Sequence, residues 1–157
     1  MKVNIYTDGA CRGNPGKGGY GIIMELVGKS YRKEFSQGYR KTTNNRMELL
    51  AVIVALEMLK REKTEVVVYS DSKYVIDAVE KGWVFNWVKK GFKNKKNSDL
   101  WRRFLKIYPK HQVRFEWVKG HNNHAQNERC DELAVEASHR SDLLVDTVFE
   151  NESKELF

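Results

Sequence analysis

The chain has 157 residues, 41% of them hydrophobic and 31% charged, with a formal net charge of +7. That size fits one globular domain burying roughly two-thirds of its unfolded surface. No apolar run approaches the ~18 residues of a helical membrane span, Met1-Lys2-Val3-Asn4 lacks a signal-peptide core, and two cysteines, Cys11 and Cys130, are too few for a disulfide framework and lack zinc spacing, so a reduced, cytoplasmic protein is expected.

The first predicted element is a strand from Val3 to Ala10, with Val3, Ile5 and Thr7 on one face and Tyr6 and Asp8 on the other. Asp8-Gly9 is also a common turn pair, so this carboxylate reads either as a turn residue or as a group aimed at a ligand. Residues 12–19 (Arg-Gly-Asn-Pro-Gly-Lys-Gly-Gly) read as a glycine-rich loop. No Gly-Lys-Ser/Thr follows and no helix begins there, which argues against a phosphate-binding P-loop. Tyr20–Val27 and Tyr31–Tyr39, joined by Gly28-Lys29, continue as two strands of an antiparallel meander.

From Met47 the apolar positions Leu50, Ala51, Val54 and Met58 follow helical spacing, and Val52, Leu56 and Leu59 widen the stripe into a well-buried helix. Glu48 lies in its first turn, where Asn45-x-x-Glu48 resembles a capping box. Glu65–Tyr69 is a β-branched run of the buried parallel type. It ends at Ser70-Asp71-Ser72, before a helix marked by Tyr74, Val75, Ala78 and Val79. Asp71 is thereby placed at the carboxyl end of a parallel strand, where open α/β sheets bind ligands, although Asp71 or Ser72 could simply cap the helix.

The positive charge is concentrated. Lys81 to Lys106 holds nine basic residues and one acidic residue, Asp99, leaving the rest of the chain close to neutral. Trp83, Phe85, Trp87, Phe92 and Trp101 are interleaved with these cations, a mixture that offers flat faces to sugars and bases and charge to phosphates. Asp99–Tyr108 reads as a short helix stopped by Pro109, and Val113–Val118 as the last strand. A loop containing His121 and His124 leads to a helix with Cys130, Leu133, Ala134 and Ala137 on its apolar stripe and Asp131 beside it. Beyond Arg140 the tail is acidic and weakly patterned, and whether it packs is left open.

Asp8, Glu48, Asp71 and Asp131 each have an ordinary local reading. Brought together, four carboxylates would repel and could not all ionise near neutral pH without a cation. Oxygen-only ligands suit Mg²⁺ or Mn²⁺ better than zinc. Two such ions about 4 Å apart serve in-line displacement at phosphorus.

The chain resembles a type I ribonuclease H of the bacterial kind. The resemblance is carried by Tyr6-Thr7-Asp8-Gly9-Ala10-Cys11, Gly13-Asn14-Pro15-Gly16, Thr42-Thr43-Asn44-Asn45-Arg46-Met47-Glu48 and Ser70-Asp71-Ser72. It continues through Gly82-Trp83, Asn86-Trp87, Trp117-Val118-Lys119-Gly120-His121 and Asn127-Glu128-Arg129-Cys130-Asp131-Glu132-Leu133-Ala134. These separated blocks span about residues 3–138 in the family's order.

The resemblance implies an α/β fold: a mixed five-stranded sheet, antiparallel meander plus parallel strands, flanked by helices. It implies a catalytic domain over 1–138, including a basic protrusion at about 81–106, and an acidic tail over 139–157 with no assigned role. The implied activity is hydrolysis of the RNA strand of RNA–DNA hybrids by two-metal-ion catalysis, leaving 3′-hydroxyl and 5′-phosphate ends. The alternative is another nuclease or strand-transfer enzyme on the same fold. Asp8, Glu48, Asp71 and Asp131 match the metal-binding acids, with Mg²⁺ or Mn²⁺ as cofactor, and His121 the histidine assisting proton movement and product release. Cys11 (through its backbone), Asn14, Asn44 and Asn45 match the RNA-strand contacts. Lys41, Thr43, Asn97, Trp83, Trp87, Lys89, Lys90 and Lys93 fall on the DNA-strand side. Lys41 stands where relatives often carry Arg, which keeps charge and loses bidentate geometry, and the protrusion is shorter than in the best-known bacterial relatives. The expected partner is the hybrid itself, with no membrane and a monomeric protein.

Overall fold

A computed structural model describes residues 1–119 and 124–154. The elements are β1 (Lys2–Arg12), β2 (Gly16–Leu26), β3 (Arg32–Thr42), α1 (Asn44–Glu57), β4 (Glu65–Ser70), α2 (Lys73–Glu80), α3 (Trp83–Lys89), α4 (Ser98–Ile107), a 3-10 turn (Tyr108–Lys110), β5 (Gln112–Trp117), α5 (Ala125–Ser138) and α6 (Thr147–Lys154). The sheet order is β3-β2-β1-β4-β5. β3, β2 and β1 pair antiparallel, and β1, β4 and β5 pair parallel, so the expected mixed sheet is present. The switch falls at β1, the one strand with an antiparallel neighbour on one side and a parallel neighbour on the other. Among the described residues no helix is long and apolar enough to cross a membrane.

Strand alternation divides the core. Val3, Ile5, Ile22, Val66 and Val68 pack with the buried side chains of α1, including Leu49, Ile53 and Leu56. Tyr6 and Ile23, of opposite parity, pack with Cys130 and Leu133 of α5. The stretch expected as a glycine-rich loop over 12–19 is mostly strand, because β2 already begins at Gly16. Its glycines serve close packing: a Cβ on Gly21 would lie 2.3 Å from the Cys130 carbonyl oxygen, and one on Gly19 2.5 Å from that of Ala134. Bare backbone lets α5 lie directly on β2.

The basic segment differs from its expected form. Trp101 and Phe92 are core residues, at 0% and 4% exposure. Trp101 packs edge-on to Trp87 and Phe104, and Phe104 stacks on Tyr108. These rings form the small core that attaches the segment to the body, leaving Trp83 exposed and Trp87 half-buried at the surface. Between α3 and α4 the chain turns tightly through left-handed Gly91, Phe92, Asn94 and Asn97.

The tail packs. Leu144 bridges β3 through Arg40 N to Leu144 O (2.9 Å) and Leu144 N to Gly38 O (3.0 Å), covering part of the β3 edge. Asp146 is buried and accepts from Thr42 Oγ1 at 2.7 Å. It also takes two N–H groups of Arg46, while Asp99 takes two and Asn97 Oδ1 one, so all five donors of a guanidinium only 2% exposed are satisfied. Burial opposes the Arg46 charge, but its carboxylate partners outweigh that and raise its pKa. For Asp99 burial likewise favours the neutral form, and the Arg46 bonds reverse the balance, holding its pKa below the usual carboxylate value.

Asp146→Ala should lower the unfolding free energy by about 3 kcal/mol, since it leaves part of a buried guanidinium unpaired. Denaturant unfolding at pH 7 checks this, with an unchanged m-value marking a stability effect alone. Because Asp99's pKa is lowered on folding, its stabilising contribution is complete above about pH 4, the unfolded value, and fades as pH falls through the folded one. The cost of Asp99→Asn should shrink accordingly in acid.

Candidate active site

β1 does not end at Asp8, as the turn reading requires. It runs four residues further, and Asp8 pairs with Gly21 of β2. What changes beside Asp8 is its other neighbour: the paired register of β1 with β4 ends at Tyr6–Tyr69, and β4 itself ends at Ser70. Continuing that register by two residues sets Asp8 beside Asp71. The carboxylate is thus delivered from mid-strand, at a notch made where the neighbouring strand stops.

Glu48 arrives from above the same strand. A Cβ on Gly9 would lie 2.7 Å from the Glu48 backbone nitrogen and 2.9 Å from Met47 C, so only glycine lets the first turn of α1 rest there. The capping reading for Glu48 is replaced. Thr43 is the N-cap of α1, its side chain accepting from Arg46 N at 3.2 Å. Ser72 likewise caps α2, accepting from Val75 N at 3.2 Å, and Ser70 Oγ accepts from Ser72 N at 3.0 Å. The local duties that could have explained Glu48 and Asp71 are done by hydroxyls.

Asp8, Glu48 and Asp71 each offer a carboxylate oxygen, all within 4.8 Å of one another, with Asp8 3% and Glu48 5% exposed. Burial, followed by the charge of Asp71, pushes the Asp8 pKa up to about 7, against the hydrogen bond from Gly9 N at 2.9 Å. Glu48 is raised well above its ordinary value by burial and then by the charges of Asp8 and Asp71. Its Oε2 is buried without a hydrogen-bond partner among the described residues. An orphaned carboxylate oxygen in a convergent acidic trio suits a hard divalent cation, so the donor set fits a metal. Asp131, half-buried on α5, lies outside that trio, and its charge contributes to raising Asp8. His121 lies outside the described residues. His124 is the N-cap residue of α5, its ring 5.6 Å from that of Tyr6 and 5.9 Å from that of Tyr69.

A cleft of about 270 Å³ opens beside the acids, lined by Asn44, Asn45, Glu48, Asp71 and Lys73 among others. A second cavity of about 480 Å³ shares Asn45 and is lined also by Asn14, Thr43, Lys96 and Asn97. Asn14 Oδ1 accepts from Asn44 N at 3.1 Å, tying the β1–β2 loop to the start of α1. Cys11 is half-buried with its thiol on the Gly13 and Thr42 carbonyls. Lys41, Lys89, Lys90 and Lys93 are exposed. The structure therefore gathers the candidate RNA-side and DNA-side groups of α1, the β1–β2 loop and Asn97 into two adjoining recesses, with the lysines of α3 and the following turn on the surface.

Sequence reasoning missed three sets of contributors. Arg46 and Tyr74 hold Asn97 from both ends: Arg46 Nη1 donates to its Oδ1 at 3.3 Å, and its Nδ2 donates to Tyr74 Oη at 3.0 Å. A charged residue within the buried start of α1 was the available signal for Arg46. Lys73 lines the acidic cleft and lies 3.8 Å from the Trp117 ring centroid. The third, the contribution of Phe149 and Glu152 to the larger cavity, had no signal because the tail is weakly patterned.

The family model described as RNase H matches residues 1–139. A protein named Ribonuclease H from Desulforamulus reducens is 55% identical over 150 residues, covering 92% of each chain. Ribonuclease HI of Synechocystis is 48% identical over 152 residues, covering 94% of each. Among solved structures, LC9-RNase H1, described as a type 1 RNase H with the type 2 active-site motif, matches with TM-score 0.77 and 34% identity over 97% of this chain and 80% of that one. LC11-RNase H1 in complex with RNA/DNA hybrid matches with TM-score 0.60 and 30% identity, covering 86% and 95%.

The acid cluster makes a signed prediction about stability without divalent metal. With the Asp8 pKa pushed up to about 7 by burial and the charge of Asp71, against about 3.9 in the unfolded chain, the folded state binds more protons between these values and stability falls as pH rises. Asp8→Asn in chelator should therefore stabilise the protein at pH 8 by on the order of 2 kcal/mol, and by little at pH 4. Thermal unfolding at the two pH values measures the difference.

Proposed function

The chain belongs to the ribonuclease H family, and on that premise we propose that Asp8, Glu48, Asp71 and Asp131 form the centre at which it hydrolyses the RNA strand of RNA–DNA hybrids. The observation that carries the assignment is the trio of carboxylates, two buried and one half-buried, with oxygens within 4.8 Å of one another. Asp8, Glu48 and Asp71 would hold one Mg²⁺ or Mn²⁺, and Asp131 would complete a second site with Asp8. Bound ions supply the Lewis acidity for displacement at phosphorus and lower the pKa of the attacking water.

The chain's own groups orient the substrate. Glu48 sits against the cleft shared with Asn44 and Asn45, where a 2′-hydroxyl could be met by both donors and acceptors. Amide side chains supply both functions, a phosphate-tracking lysine only one. On the DNA strand, Thr43 and Asn97 would take a phosphate in the larger cavity. Capping uses the Thr43 oxygen as acceptor and leaves its O–H to donate, and Asn97, fixed by Arg46 and Tyr74, retains one amide N–H. Lys41, Lys89, Lys90 and Lys93 would follow the backbone, with Trp83 and Trp87 against DNA sugars. Cys11 would contribute its backbone and Asn14 its amide to the RNA strand, and His121 would assist proton movement and product release. The proposal takes the protein to act as a cytoplasmic monomer, producing 3′-hydroxyl and 5′-phosphate ends.

With Mg²⁺ and strand-labelled substrates, cleavage should be confined to RNA paired with DNA. Asp8→Asn should lower the rate by at least ~10³-fold while hybrid binding is retained, as expected for removal of a ligand needed in the transition state. Comparable activity in the variant, or strong cleavage of duplex DNA by the unaltered protein, would overturn the assignment. Neutralising Lys89 and Lys93 together should reduce the slope of log K against log salt by about 2 if each meets a phosphate.

A further inference from the structure

The tail lies beyond the family match, which ends at residue 139, yet it is built firmly onto the site. Asp146 engages Arg46 and Thr42, and Glu150 engages Arg40 through two hydrogen bonds at 2.9 and 3.0 Å. These attachments hold α6 so that Phe149 and Glu152 line the cavity that also contains Thr43, Lys96 and Asn97. Asp146 and Glu150 have cationic partners. Glu152 is exposed and has no ion pair among the described residues, so its charge acts on whatever enters the cavity.

A phosphate seated on Thr43 and Asn97 would share this recess with that carboxylate. Two like charges sharing a water-exposed recess repel by up to about 1 kcal/mol. We propose that Glu152 is an affinity-limiting residue: α6 supplies an anionic wall to the DNA-phosphate pocket and weakens hybrid binding through one linkage. This rests on reading that cavity as the DNA-strand phosphate site. The wall is fixed in place by Arg46 and Arg40, so its effect is a standing property of the folded chain. Its consequence is faster release of a substrate otherwise held by a strongly basic surface.

The test uses the full chain in chelator, with hybrids carrying a single uncharged methylphosphonate at successive DNA-strand linkages. On the all-phosphate hybrid, Glu152→Gln should tighten Kd by about two- to five-fold, the fold-change of a like-charge contact of that size. Glu152→Lys should tighten it further and steepen the salt slope by about 1. One methylphosphonate position should weaken binding by the unaltered protein, and at that position the gain from Glu152→Gln should vanish. If one position weakens binding but Glu152→Gln leaves Kd unchanged on every hybrid, the role of Glu152 is refuted and the phosphate pocket stands. If Glu152→Gln tightens all hybrids alike, its charge acts as a general field and the local wall is refuted. If no position weakens binding, the pocket reading itself fails and takes the proposal with it. Equal melting temperatures for the three proteins would show that binding changes do not arise from misfolding.

Discussion

Arg46 is the point at which three separate parts of the chain are tied together. Its five N–H groups are divided among Asp99 at the start of α4, Asp146 in the tail and Asn97 in the turn before α4. A guanidinium suits this position because its fixed fork can satisfy two carboxylates at once, which an ammonium cannot do in the same plane. Burying such a charge is costly unless every donor is paired. Full pairing makes the node an all-or-none arrangement. The consequence reaches the site, because Arg46 lies two residues before Glu48 on the same helix turn and fixes Asn97 at the edge of the larger cavity.

The acid cluster places the opposite demand on the fold. Three carboxylates within 4.8 Å of one another, two of them buried, destabilise the chain that holds them; burial first and then the charge of Asp71 raise the Asp8 pKa. Such a grouping persists only where the scaffold over-determines it. Here the determinants are a strand anchored on both neighbours up to Tyr6, a glycine that admits α1 onto its backbone, and the hydroxyls of Thr43 and Ser72 that take over the capping. The buried cores lie in the α1 and α5 layers, and the acid cluster lies at the notch where β4 ends.

The basic segment combines two roles that composition alone had merged. Its lysines are exposed, while most of its aromatics turn inward: Trp87 of α3 packs edge-on to Trp101 of α4, and α4 packs in turn against α1. Trp83 stays at the surface with Lys81 5.2 Å from its ring centroid, and Lys95 lies 4.9 Å from that of Trp87. A cation above a ring keeps a flat, positively charged surface in place. The segment therefore presents its lysines and Trp83 on one surface over a packed aromatic base.

Much of this was legible in the residues themselves. Alternation in Val3–Ala10, the helical stripe after Met47 and the β-branched run Glu65–Tyr69 each have a short-range cause, so each element was found close to its place. The separated blocks around Asp8, Glu48, Asp71 and Asp131 pointed to a shared explanation for four acids; three of them meet in the fold, and Asp131 lies outside that trio. Other features depend on partners distant in sequence. Glu48 could not be told from a capping residue until Thr43 was seen to cap, and the run of glycines in β2 looked like a loop until α5 was seen to lie on it. The tail illustrates the limit most clearly, since Asp146 contacts Arg46 across a sequence separation of 100 residues. Local pattern decides which segments become strands and helices, because backbone sterics and periodic burial act over a few residues. Which carboxylates meet a cation, which meet one another and which face a cavity is decided by packing, because desolvation and Coulomb energies exist only once the chain has closed around them.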